Sequence, residues 1–117
     1  MFCTAVDFDD TLKNSTTGEA NTALIAKLLL LQSRGNKLIL WTRREGDLLQ
    51  EAVDWCSNEG LEFDAVNEDL PLIRKLQEIK SRKIFYNVLV DDRNISIKAF
   101  LEAKPEDLEK KYAKSPY

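Results

Sequence analysis

Residues 2–12, FCTAVDFDDTL, decide how the rest of this chain is read. A short apolar run breaks off into three carboxylates within four positions, Asp7, Asp9 and Asp10. Carboxylates that close repel one another, and nothing about a fold requires them. The stretch therefore reads as a buried strand whose carboxyl end carries chemistry rather than packing.

Three further apolar runs repeat that pattern. KLILW (37–41) ends at Thr42, FDAV (63–66) is a weaker strand, and NVLV (87–90) ends at Asp91 and Asp92. Continuous Val, Ile and Leu runs suit parallel strands covered on both faces. Helical spacing fills the intervals. EANTALIAKLLLLQSR (19–34) has apolar residues at 24, 25, 28 and 31, with Gly35 as a stop. In EGDLLQEAVDWCSNEG (45–60), Leu48, Leu49, Ala52, Val53 and Cys56 share a face and Gly60 closes the pattern. Pro71 opens PLIRKLQEIKSR, and the tail from Lys104 predicts a short charged helix with Pro105 in its first turn. No fifth strand is evident after Asn94. The expected architecture is one α/β domain over 1–117, a Rossmann-like doubly wound parallel sheet sandwiched by helices. Such sheets bind ligands outside the carboxyl ends of their strands, where strand order reverses. The acidic and hydroxyl residues fall at those ends.

Composition narrows the chemistry. The chain is 44% hydrophobic and 32% charged, with a net charge of −3, as in an ordinary globular protein and unlike a general polyanion binder. It enters its first strand at once and has no long apolar stretch, which predicts no signal peptide, no membrane span and a cytoplasmic location. Histidine is absent, which removes His-dependent nucleophile pairs and His-based zinc sites. Cys3 and Cys56 have neither metal-ligand nor cysteine-phosphatase spacing. Whatever chemistry exists here runs on carboxylates, hydroxyls and lysine.

Several carboxylates in one cleft are stable only when protonated or holding a cation. Oxygen ligands without His or Cys point to a hard ion, Mg²⁺ first. Beside such an ion an aspartate can attack phosphorus, with a second acid serving the leaving oxygen and then water. Taken singly, each acid reads as well as a helix cap, Thr42 as an ordinary strand end, and Asp91-Asp92-Arg93-Asn94 as a helix-entry loop. The joint arrangement favours the chemical reading.

In that arrangement, AVDFDDTL resembles the first motif of the haloacid-dehalogenase-like superfamily, Asp-x-Asp-x-Thr after an apolar strand. LILWTRR looks like its second motif, SRK supplies a third-motif lysine, and VLVDDRN looks like the acidic fourth motif. All four stand in the family's order between residue 2 and about 94. The resemblance implies Asp7 as nucleophile and metal ligand. It implies Asp9 as general acid/base, with its backbone carbonyl on Mg²⁺. Thr42 and Lys83 would hold the phosphoryl oxygens, Asp91 would complete the metal site with Asp92 nearby, and Thr11 would brace the first loop. Lys80 is a rival to Lys83. Where this chain has Asp10 the family often has glycine. An aspartate at position 9 is the family's phosphatase pattern rather than its dehalogenase pattern, so the implied reaction is phosphate monoester hydrolysis.

Family members usually carry a lid. Here about 24 residues separate Leu12 from Lys37, which one helix consumes, and two helices and a short strand fill the interval from Thr42 to Lys83. A capless, open site is expected, taking a phosphorylated small molecule or macromolecule. Arg43, Arg44 and Arg93 flank it, either as substrate contacts or as salt-bridged surface residues. No basic face indicates nucleic acid, although a polynucleotide end stays open, as does a homo-oligomer. Two non-enzyme alternatives remain: a receiver-like phospho-accepting module, whose usual motif order differs from this one, and a retired scaffold of the same superfamily used for binding.

Overall fold

The computed structural model describes residues 2–76 and 83–112. Four strands, β1 (Cys3–Val6), β2 (Lys37–Leu40), β3 (Ala65–Val66) and β4 (Val88–Val90), form one sheet in the order β3-β2-β1-β4. Every pairing is parallel. The register sets Ala5 of β1 between Ile39 of β2 and Leu89 of β4. β1 is thus central, and the chain moves outward to β2 and β3 before returning to the other side of β1 for β4. The reversal of strand order falls between β1 and β4, the two strands that end in aspartates.

Alternation along the strands divides the core into two faces, because successive side chains of a strand point to opposite sides. Val6, Leu38 and Leu40 face one cluster, and Cys3, Ala5 and Ile39 face the other. Helices α1 (Thr22–Ser33) and α2 (Gly46–Asn58) cover the first face with Ile25, Leu28, Ala52 and Cys56. The second face is covered by Leu70 and Ile84, with Ile73 of α3 (Pro71–Leu76) packed against them. This is the doubly wound Rossmann-like arrangement that the sequence leads one to expect.

Local chemistry sets the helix ends. Asn21 caps α1 by accepting the Leu24 N–H at 3.2 Å. After α1, Gly35 at φ 85° lets the chain turn, and the Asn36 N–H returns to the Leu31 carbonyl. α2 departs from expectation at one position. Ala52 and Cys56 are buried and Leu49 and Val53 pack beside them, but Leu48 is 55% exposed. Leu48 stands in the first turn, at the margin of the apolar stripe, where the sheet no longer covers it.

Residues 95–112 contribute helices rather than a further strand: α4 (Ile97–Glu102), capped by the Ser96 hydroxyl, and α5 (Pro105–Tyr112). The segment after Leu76 that continues the third helical pattern lies outside the described residues, and so does Lys80. Among the described residues, no helix is long and apolar enough to cross a membrane.

Candidate functional site

β1 delivers Asp7 to the point where strand order reverses. Its N–H donates to the Val90 carbonyl at 3.0 Å, carrying the β1–β4 ladder one step past β1. Its side chain therefore emerges beside the residues that follow β4. One carboxylate oxygen each from Asp7, Asp91 and Asp92 lies within 4.8 Å of the other two, and all three residues are partly buried. The Thr11 hydroxyl donates to Asp7 Oδ2 at 3.3 Å, and the Arg93 N–H donates to Asp91 Oδ1 at 2.7 Å.

The electrostatics reflect this crowding. Burial, and next the charge of Asp91, push Asp7 up to about 6, with Asp92 adding to the rise; the Phe8 N–H and the Thr11 hydroxyl pull the other way. Asp91 is also raised, first by burial and then by its contact with Asp92, against the Arg93 N–H and charge. Excess negative charge held in place by backbone geometry is what a cation relieves. The donor atoms are all carboxylate oxygens, with no imidazole or thiolate, so the residues present fit a hard divalent ion such as Mg²⁺.

Asp9 stands apart from that group. Its two oxygens accept from Arg44, from Nε at 2.9 Å and from Nη2 at 2.8 Å. The pair is mostly sheltered, with side-chain exposures of 17% for Arg44 and 16% for Asp9. Arg44 Nη1 donates to the Leu48 carbonyl at 3.1 Å, and the guanidinium carbon lies 4.7 Å from the centre of the Phe8 ring. Phe8 is itself buried, edge-on to Trp55 at 5.6 Å. The Asp9 hydrogen bond raises the Arg44 pKa further, so the guanidinium keeps its charge.

The loop after Phe8 is a tight turn. The Phe8 carbonyl accepts from the N–H groups of Thr11, Leu12 and Lys13. Asp10 lies within it at φ 59°, the left-handed region that non-glycine residues seldom adopt. Its carboxylate accepts from the Ser15 N–H at 2.9 Å and the Ser15 hydroxyl at 2.6 Å. Asp10 also lines the cavity, while its Oδ1 ties down the loop through Ser15.

At the end of β2, the Thr42 hydroxyl accepts the Arg44 N–H at 3.2 Å. Gly46, at φ 56°, then lets the chain turn from that loop into α2. Thr42, Trp41, Arg43 and Arg93 join the aspartates in lining one open cavity of about 240 Å³. Arg93 Nε is 4.0 Å from Asp92. The cavity thus has an acidic floor with guanidinium groups at its rim. Lys83 is exposed and is not among the residues lining it.

Sequence reasoning missed three supporting residues. Asn67, at φ 52°, accepts the Thr42 N–H at 2.8 Å and donates to the Arg44 carbonyl at 3.3 Å. An asparagine directly after a short strand was the available clue, since Asn is enriched at left-handed positions. Phe8 and Trp41 come to lie against Arg44 and the cavity only through the fold. The cysteines contribute no nucleophile. Both are free and buried; burial pushes Cys56 up to about 12 and raises Cys3 as well.

No protein-family model matches this chain. No curated protein matches it either. Among solved structures, the fold is similar to that of a conserved protein coded by a locus of Bacteroides thetaiotaomicron, with a TM-score of 0.69. The match covers 80% of this chain and 77% of that one. With 43% sequence identity over that span, this chain belongs to the same family as the Bacteroides protein.

Proposed function

We propose that this chain is a cytoplasmic phosphatase of the haloacid-dehalogenase-like superfamily, hydrolysing phosphate monoesters with Mg²⁺ through an aspartyl-phosphate. The observation that carries this reading is the convergence of Asp7, Asp91 and Asp92 carboxylates within 4.8 Å at the point of strand-order reversal. Asp7, Asp91 and Asp92 would hold the ion by side-chain oxygens, with the Asp9 carbonyl as the further ligand implied by the resemblance. Bound there, Mg²⁺ supplies positive charge that lets a phosphate dianion approach the carboxylates.

In the first step an Asp7 oxygen forms a bond to phosphorus while the bond from phosphorus to the leaving oxygen breaks, and Asp9 gives that oxygen a proton. In the second, Asp9 takes a proton from water as the water oxygen bonds to phosphorus, and the Asp7 oxygen departs with its electron pair. Thr42 would hold the phosphoryl oxygens; the lysine to which the resemblance gives the same task, Lys83 or Lys80, is not among the described residues lining the cavity. Arg43 and Arg93 stand at the cavity rim, where the rest of an anionic substrate would lie.

The test is hydrolysis of a generic aryl phosphate with and without Mg²⁺, beside Asp7→Asn and Asp9→Asn. Activity that needs Mg²⁺ and disappears in Asp7→Asn supports the reading. A folded wild-type protein inactive on a broad panel of phosphomonoesters overturns it. One observation favours a second reading, a phospho-accepting or binding module without turnover: both Asp9 oxygens are engaged by Arg44. Stable labelling of Asp7 without release of phosphate would support that reading instead.

A further inference from the structure

Resting on the phosphatase reading, we propose that Arg44 is the positioning residue of Asp9. Its guanidinium fixes the direction in which the proton-transfer carboxylate faces the cavity, and it does not itself bind the phosphoryl group. Sequence left Arg43 and Arg44 alike open between substrate contact and salt bridge; the geometry separates the two.

Two of the Arg44 guanidinium nitrogens are committed to Asp9, at 2.9 and 2.8 Å, and the third to the Leu48 carbonyl at 3.1 Å. One face is stacked on Phe8 at 4.7 Å. Its backbone is tied at both ends, the N–H to Thr42 and the carbonyl to Asn67. A parallel pair of charge-assisted bonds fixes the carboxylate plane as well as its distance. Asp9 has a short side chain, so turning it would break both bonds together. Arg44 would have to give up this whole set to reach a phosphate, whereas Arg43 lines the cavity from an exposed position. The anchor is also independent of the metal-binding group, because the Asp9 carboxylate is not among the three that converge.

A residue that aims a proton donor acts on turnover rather than on binding. Misplacing a catalytic group by about 1 Å costs roughly a hundredfold in rate. The experiment is steady-state kinetics with an aryl phosphate and Mg²⁺ for wild type, Arg44→Met and Arg44→Lys, each checked by thermal melting. Alongside, the Arg44 Nε–H resonance is followed by NMR in wild type and Asp9→Asn. The expected result for Arg44→Met is a fall in kcat of at least about 30-fold with KM within about threefold. Arg44→Lys, which keeps the charge and one bond, recovers part of the loss and serves alone if the methionine variant does not fold. The Nε–H signal is protected from exchange in wild type and loses that protection in Asp9→Asn.

A raised KM with unchanged kcat would make Arg44 a substrate contact and overturn the inference. So would kcat unaltered in Arg44→Met, no recovery in a folded Arg44→Lys, or an unprotected Nε–H in wild type. A wild-type protein without phosphatase activity overturns the functional reading and this inference with it. An active wild type with an indifferent Arg44 overturns the inference alone.

Discussion

Asn67 Oδ1 accepts the Thr42 N–H at 2.8 Å, so the residue after β3 holds the loop that follows β2. Because Asn67 also donates to the Arg44 carbonyl and adopts φ 52°, one side chain ties two neighbouring loops at a left-handed position. Replacing it with alanine removes both bonds and keeps an unfavourable backbone. Asn67→Ala is expected to lose about 2 kcal/mol of stability, with Asn67→Gly losing less because glycine relieves the backbone. Urea unfolding of the two variants beside wild type measures the difference.

The crowded aspartates make a pH prediction for protein without divalent ions. Asp7 is raised from 3.8 to about 6, and Asp91 is raised in the same direction. A carboxyl with a raised folded pKa binds more protons folded than unfolded between the two values. Its stabilising contribution is complete below about 4 and is lost as pH rises through about 6. The thermal midpoint in chelator should therefore carry a downward component from these groups across pH 4 to 6. At pH 7.5 Asp7→Asn should melt higher than wild type in chelator. Adding Mg²⁺ should raise the wild-type midpoint by ligand linkage and leave Asp7→Asn nearly unmoved.

Metal affinity and turnover should separate at Asp9. Since its carboxylate is bound to Arg44 and the converging group is Asp7, Asp91 and Asp92, Asp9→Asn should keep Mg²⁺ affinity within about threefold while losing turnover. Asp91→Asn, which removes a charged ligand, should weaken binding by at least about tenfold. Isothermal titration with Mg²⁺ reads the first quantity and phosphate release the second.

Asp10 offers a purely conformational test. At φ 59° glycine is the least strained residue. In this chain the two bonds from Ser15 offset the strain. Asp10→Ala, losing the bonds and keeping the strain, should cost about 1–2 kcal/mol, and Asp10→Gly less than about 1 kcal/mol. Equal losses in denaturant melts would show that the backbone angle carries no weight.

How much of this was legible before folding differs from residue to residue. Asp7, Asp91, Asp92 and Thr42 stood out because each directly follows an apolar run, and in a parallel sheet all such positions meet at one edge. Asn67 gave only a residue type. The engagement of Asp9 gave none, since its partner is 35 positions away on another loop. Leu48 was misread because helical periodicity marks an apolar stripe without saying how far the sheet beneath it extends.

Local chemistry alone therefore determined the element types, the parallel sheet and the carboxylates at its edge, because strand and helix periods and turn residues are short-range properties. Tertiary structure decided the rest. Strand order β3-β2-β1-β4 chose which aspartates converge. The meeting of two loops in space gave Asp9 to Arg44 rather than to the three converging carboxylates. Pairings of that kind depend on the register and orientation of elements far apart in the chain, which no local pattern encodes.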